Sequence, residues 1–121
     1  MSTVEDIRRL AEAARTRIQE VTPGEALARV AAGAVLIDVR EEKEFNAGHL
    51  QDAVLISRGA LESRIGAAVP DKSTAIVCYC AVGHRSAIAA DTLQKLGYAN
   101  VVSMAGGLKA YLSAASERKS A

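Results

Sequence analysis

Two cysteines stand two residues apart in Cys78-Tyr79-Cys80, and the second runs directly into Ala81-Val82-Gly83-His84-Arg85-Ser86. A thiol attacks only as a thiolate, and a free cysteine pKa of about 8.5 falls to ~3.5–7.5 at helix N-termini or beside cations. The residues after Cys80 offer both conditions. Arg85 brings positive charge, with His84 as a second source, and Gly83 lets the backbone bend until the N–H groups of residues 81 to 85 converge on one anion. A helix opening in this loop would aim its positive end at the thiol. The chemistry indicated is attack by Cys80 on an anionic substrate, with Ala81, Val82, Gly83, His84 and Arg85 as its cradle. Cys78 lies inside the preceding apolar run, where a small thiol packs like a hydrophobe. The alternative for it is a transient, strained bond to Cys80 under oxidation. Neither Cys-x-Cys nor its combination with His84 or His49 has the spacing of common zinc or redox motifs, so no metal is expected.

The flanking segments supply the elements that must hold this loop. Thr74–Tyr79 is a short β-branched run that reads as a strand, and beyond the loop Ala89, Leu93 and Leu96 share one helical face, with Asp91 and Lys95 paired on the other. Val35–Val39 and Ala53–Ile56 read as further buried strands, Asp38 being the polar exception, and Val101–Val102 as a short one. Between them lie helical stretches at 41–47, ended by Gly48, and at 60–65, then a turn at Pro70-Asp71-Lys72-Ser73. Gly106-Gly107 forms a turn before a closing helix at 108–114. Thr22-Pro23-Gly24-Glu25 is a helix start with a hydroxyl cap, a first-turn proline and a returning carboxylate. Before it, Val4, Ile7, Ala11, Ala14, Ile18 and Val21 recur in steps of three and four, predicting one amphipathic helix to about Val21. Ser2 with Glu5 is its expected capping box, and Glu5/Arg9 and Arg8/Glu12 its expected ion pairs. That helix is expected to pack on its own domain, a dimer seam being the alternative. Alternating strands and helices predict an α/β domain with a mostly parallel sheet, in which ligands sit beyond the carboxyl ends of the strands, where Cys80 falls.

Composition narrows the partners. The 121 residues make one domain, and 15 Lys+Arg against 14 Asp+Glu leave a net charge of +1, with no basic surplus for nucleic acid. No run of about 18 apolar residues exists to span a membrane. The polar, acidic start lacks the layout of a secretory signal, so a cytoplasmic, reducing setting is expected, with free thiols.

The loop Cys80-Ala81-Val82-Gly83-His84-Arg85-Ser86 resembles the Cys-x-x-Gly-x-Arg-Ser active-site loop of rhodanese domains. Ile37-Asp38-Val39-Arg40-Glu41, Glu44-Phe45, Gly48-His49-Leu50 and Ala53-Val54 with Ile56 resemble the first rhodanese signature; Gly106-Gly107-Leu108 with Ala110-Tyr111 resembles the closing one. The resemblance covers about residues 22 to 112. It implies a three-layer α/β/α sandwich around a five-stranded, mostly parallel sheet, with an N-terminal extension at 1–21, the domain at 22–115 and a polar tail at 116–121. It further implies sulfur transfer through a Cys80 persulfide, from an anionic donor such as thiosulfate or mercaptopyruvate to cyanide or a thiol, with no organic cofactor and a monomeric chain. A persulfide relay serving a protein partner is the alternative from another class. Cysteine-based phosphatases and arsenate reductases are a weaker one, because their loop places five residues between cysteine and arginine and this one places four.

The resemblance also assigns supporting roles. Asp38, Arg40 and Glu44 are expected in structural ion pairs, Arg40 with Glu44, and His49 in holding a turn. Ser86 is expected to support the loop. Arg85 either faces the donor's anionic group or braces the loop against Asp38, the second being preferred. Arg58 follows Ile56-Ser57 where the family often has Ile-Pro, and is expected near the rim, attracting the donor.

Overall fold

Strand polarity places the thiol before any side chain is considered. The computed structural model describes residues 3–120, and of residues 117–120 the helical backbone alone. In chain order the elements are α1 (Val4–Arg15), β1 (Gln19–Val21), α2 (Pro23–Ala31), β2 (Val35–Asp38), α3 (Glu42–Ala47), β3 (Val54–Leu55), a 3-10 turn (Arg58–Ala60), α4 (Leu61–Ala68), β4 (Ile76–Tyr79), α5 (His84–Lys95), β5 (Val101–Met104) and α6 (Gly107–Ser120). The strands form one sheet in the order β1-β5-β4-β2-β3, every pairing parallel. β4 is therefore central, flanked by β5 and β2, and its carboxyl end delivers Cys80.

Side chains alternate across the pleat, and the two faces fill separate cores. Ile76 and Cys78 join Ile37, Leu61, Ile65 and Leu93 on one side, under α4 and α5. Val77 and Tyr79 join Leu36, Val102, Met104 and Ala26 on the other, under α2 and α6. A sheet covered on both faces explains why these strands read as continuous apolar runs rather than alternating ones.

The N-terminal region departs from its periodicity. α1 stops at Arg15, and Gln19–Val21 crosses to the sheet edge as β1, in register with Val102 to Met104. The open edge of β5 offers backbone partners that a continued helix could not use, and Val21 becomes buried there. The fifth strand of the sheet thus comes from a segment expected to be helical. The cap also differs: Thr3 and Asp6 form the reciprocal box, while Ser2 lies outside the described residues. The ion pairs are Arg9–Asp6 at 3.0 Å and Arg8–Glu5 at 3.8 Å, one residue closer in sequence than expected.

α1 packs on its own domain through small residues, Ala11 and Ala14 against Ala87 of α5. Arg17 locks the following turn by two hydrogen bonds of 2.9 and 2.8 Å to Asp91, which also pairs with Lys95 at 3.2 Å. Asp91 is accordingly buried rather than solvated. At the other end, α6 continues through Ser120 instead of stopping at Ala114. Polar residues do not end a helix, and Ala115, Glu117, Arg118 and Lys119 include no breaker.

Candidate active site

Cys80 is 1% exposed, yet donors surround its sulfur. The amides of Gly83 and Ser86 donate to Sγ at 3.1 and 3.3 Å, and the Ser86 hydroxyl lies 3.5 Å away. The cradle is thus partly as expected and partly not. Ser86, read as support, supplies an amide from beyond residues 81 to 85 and a hydroxyl as well. That hydroxyl is 2.8 Å from the buried Ser103 hydroxyl of β5. When sulfur carries negative charge, Ser103 donates to Ser86 and Ser86 to Sγ, a relay in which each hydroxyl gives its one proton toward the charge.

The loop carbonyls are drawn to other donors, which is what leaves the amides free to face the sulfur. Leu108 and Lys109, in the first turn of α6, donate to the carbonyls of Cys80 and Ala81 at 2.8 and 3.0 Å. Gly107, at φ +63°, makes this approach possible: a Cβ there would stand 2.5 Å from the Cys80 carbonyl oxygen. The Gly106-Gly107 turn is therefore a clamp on the loop. Gly83 caps α5 at φ +98°, close against Gly106.

Arg15 of α1 takes the third carbonyl, donating to Gly83 O at 3.2 Å, and also reaches Nδ1 of His84 at 3.1 Å. Arginine only donates, so Nδ1 accepts and the neutral ring carries its proton on Nε2. Burial, reinforced by the Arg15 charge, lowers the His84 pKa. His84 is neutral near pH 7 and is not the second cation expected.

The ion pairs at the rim are exchanged relative to expectation. Arg85 binds Glu44 through two hydrogen bonds of 2.7 and 2.9 Å, and this pair holds the Glu44 carboxyl down at about 2. Arg40 binds Asp38 instead, at 2.8 to 3.1 Å, and donates to Gly48 O at 2.7 Å. Arg40 sits two residues from Asp38 at the end of β2, so the nearer carboxylate captures it, and Glu44 on α3 is left for the loop arginine. His49 donates from Nδ1 to Phe45 O at 2.9 Å and stacks on the Phe45 ring.

A cavity of about 230 Å³ opens over Cys80. Val82, His84 and Arg85 form its loop side, and Thr3, Val4 and Ile7 of the N-terminal segment form the opposite wall. Arg58 does not line it; its amide donates to Val39 O as the 3-10 turn begins. A larger cavity of about 490 Å³, bordered by Arg40, Glu44 and His49, lies away from the thiol. Cys78 is fully buried, and desolvation, with the Cys80 charge adding to it, pushes its thiol up to about 12.

Sequence reasoning missed Arg15, Ser103 and the wall formed by Val4 and Ile7. Ser103 left one trace, a polar residue inside an apolar strand. The other three read only as parts of an amphipathic helix.

A buried thiol at the carboxyl end of a central parallel strand, faced by two amides and with its loop carbonyls tied back, defines an α/β domain whose candidate site is built around one cysteine. The chain belongs to the rhodanese-like family, whose domain profile matches residues 22–114, and it is a sulfurtransferase of the rhodanese type. It is 40% identical over 73 residues to thiosulfate sulfurtransferase PspE of Escherichia coli, covering 60% of this chain and 69% of that protein. To thiosulfate sulfurtransferase GlpE of Pseudomonas entomophila it is 34% identical over 98 residues, covering 81% and 88%. Among solved structures, a Rhodopseudomonas palustris protein of unknown function, described as a possible tyrosine phosphatase, superposes with a TM-score of 0.82 at 28% identity, covering 95% of each chain.

Proposed function

We propose that this protein takes a sulfane sulfur from thiosulfate onto Cys80 and passes it as a persulfide to cyanide or a thiol. The observation that carries the reading is the pair of amides, of Gly83 and Ser86, that donate to Cys80 Sγ, with the Ser86 hydroxyl 3.5 Å away. The Cys80 thiolate attacks the outer sulfur of thiosulfate; a new S–S bond forms, the old one breaks, and sulfite leaves with the bonding pair. An acceptor such as cyanide then attacks the outer sulfur of the persulfide, forming thiocyanate and returning the pair to Sγ. The same donors stabilise negative charge on sulfur at both stages, and no proton transfer by His49, Asp38 or Arg40 is needed. The protein works as a monomer in a reducing, cytoplasmic setting, where both thiols stay free.

Intact mass after incubation with thiosulfate tests this directly. Wild type gains one sulfur and Cys80→Ser gains none; an unchanged wild type overturns the reading. Mercaptopyruvate in place of thiosulfate tests the alternative donor. The relatedness to a protein described as a possible tyrosine phosphatase motivates a second reading. Two features oppose it: the loop places four residues between Cys80 and Arg85, and Arg85 is committed to Glu44. Hydrolysis of an aryl phosphate, without thiocyanate formation from thiosulfate and cyanide, would reverse the ranking. A persulfide that forms yet discharges only to a protein would instead identify a relay.

A further inference from the structure

We propose that the face of α1 overhanging Cys80 is a subsite for the apolar substituent of the acceptor, so that the persulfide discharges preferentially to thiols carrying a short alkyl group. The inference rests on the persulfide chemistry proposed above and adds the class of acceptor.

Access comes first. Cys80 is almost fully buried and borders the 230 Å³ cavity, so an acceptor thiolate reaches the outer sulfur through that space. In the step itself, the acceptor sulfur bonds to the outer sulfur of a protonated persulfide, the Sγ–S bond breaks, and its electron pair returns to Cys80. The product is the acceptor hydropersulfide. Throughout this attack the acceptor's substituent lies between Val82 on one side and Val4 and Ile7 on the other.

The walls decide which substituent is favoured. Five large apolar side chains stand exposed among the described residues, and two of them, Val4 at 74% and Val82 at 45%, border this cavity. Single exposed apolar residues are ordinary, but here two converge with Ile7 on the reacting sulfur. Each polar side chain lining the cavity already has one partner. Arg85 is neutralised by Glu44, His84 is held neutral with Nδ1 occupied by Arg15, and the Thr3 hydroxyl accepts the Asp6 amide as the α1 cap. Against the apolar surface of Val4, Ile7 and Val82 an alkyl substituent is favoured over a carboxylate, which loses hydration there. The volume is about that of seven to eight waters, room for roughly a sulfur and three or four carbons. Because the family profile begins at residue 22, this wall is supplied by the chain's own N-terminal extension.

To test it, the wild-type persulfide is formed with thiosulfate, desalted, and discharged to ethanethiol, propanethiol, butanethiol and 3-mercaptopropionate, with loss of the added sulfur followed by mass. The second-order rate constant is expected to rise about two- to fourfold per methylene group, and 3-mercaptopropionate is expected to trail propanethiol. Val4→Ser with Ile7→Ser flattens the series. Val4→Ser alone, at a strongly exposed position, flattens it in part and covers the case in which the double variant fails to fold. Leu10→Ser, exposed on the same helix but outside the cavity, keeps the wild-type slope. A flat wild-type series, or an undiminished slope in the Val4 variant, overturns the proposal. If thiosulfate loads no sulfur, the donor assignment fails by itself; the persulfide is then formed with polysulfide and the same series is read. If neither donor loads Cys80, both proposals fall.

Discussion

Cys78 and Cys80 lie two residues apart, are equally buried and pack in the same core, yet they occupy opposite chemical environments. Cys78 sits inside β4, where backbone groups are consumed by the ladder to β2 and β5 and the residue is packed in the core cluster under α4 and α5. Burial there penalises the thiolate and nothing offsets it. Cys80 sits one step past the strand, where the ladder has ended and the chain turns into α5. The amides released by that turn point at its sulfur. Burial alone therefore neither creates nor disables a nucleophile; the donors that accompany it decide.

Each of the following experiments would break or sharpen that contrast, beginning with the largest effect. Under limiting iodoacetamide, labelling is expected only at Cys80. Cys78→Ala should keep sulfur uptake from thiosulfate within about twofold and lower unfolding stability by about 1 kcal/mol, as for a small core truncation. Labelling of Cys78 ahead of Cys80, or loss of uptake in the Cys78 variant, would dissolve the distinction.

Next, Ser86→Ala removes one donor to charged sulfur while leaving its amide, and should slow sulfur uptake about tenfold, the scale of a hydrogen bond to a charged group. Ser103→Ala acts one step removed and should cost less, about threefold. Stopped-flow measurement of sulfite release orders the two; equal or reversed effects would show that the hydroxyl relay does not end at Cys80.

Arg15→Ala is expected to raise the pKa of His84, because it removes a nearby positive charge and exposes the ring. The imidazole chemical shift against pH reads this directly, and an unmoved titration would separate α1 from the loop. The smallest effect concerns Glu44. Its folded carboxyl titrates at about 2 against an ordinary 4.5, so its contribution is full above about 4.5 and is lost as pH falls toward 2. At 35% side-chain exposure this amounts to about 1 kcal/mol or less. Thermal melts from pH 5 to pH 2 should show wild type losing slightly more stability than Glu44→Gln.

What could be read in advance depended on how far apart in the chain the partners lie. The strand-loop-helix around Cys80, the cap at Thr22 with Glu25, and the pairing of Asp91 with Lys95 involve residues at most a few positions apart, and all three stand in the structure. The edge strand Gln19–Val21 was hidden because its apolar spacing also satisfies a helix, and only the unfilled edge of β5 decides between them. The rim pairs were misassigned for a similar reason. The resemblance paired Glu44 with Arg40 and left Arg85 to the donor or to Asp38, whereas folding brings Arg85 to Glu44 from 41 positions away and leaves Arg40 to Asp38.

The sequence by itself determined where the candidate thiol stands, the bend that follows it and the parallel α/β frame, because each is encoded in contiguous residues whose backbone demands are local. Tertiary structure alone decided what surrounds that thiol: Ser103 behind Ser86, the α6 clamp on the loop carbonyls, and α1 across the cavity, with Arg15 reaching Gly83 across 68 positions. Those contacts arise from packing two helical layers on one sheet, which unites segments whose local patterns carry no record of one another.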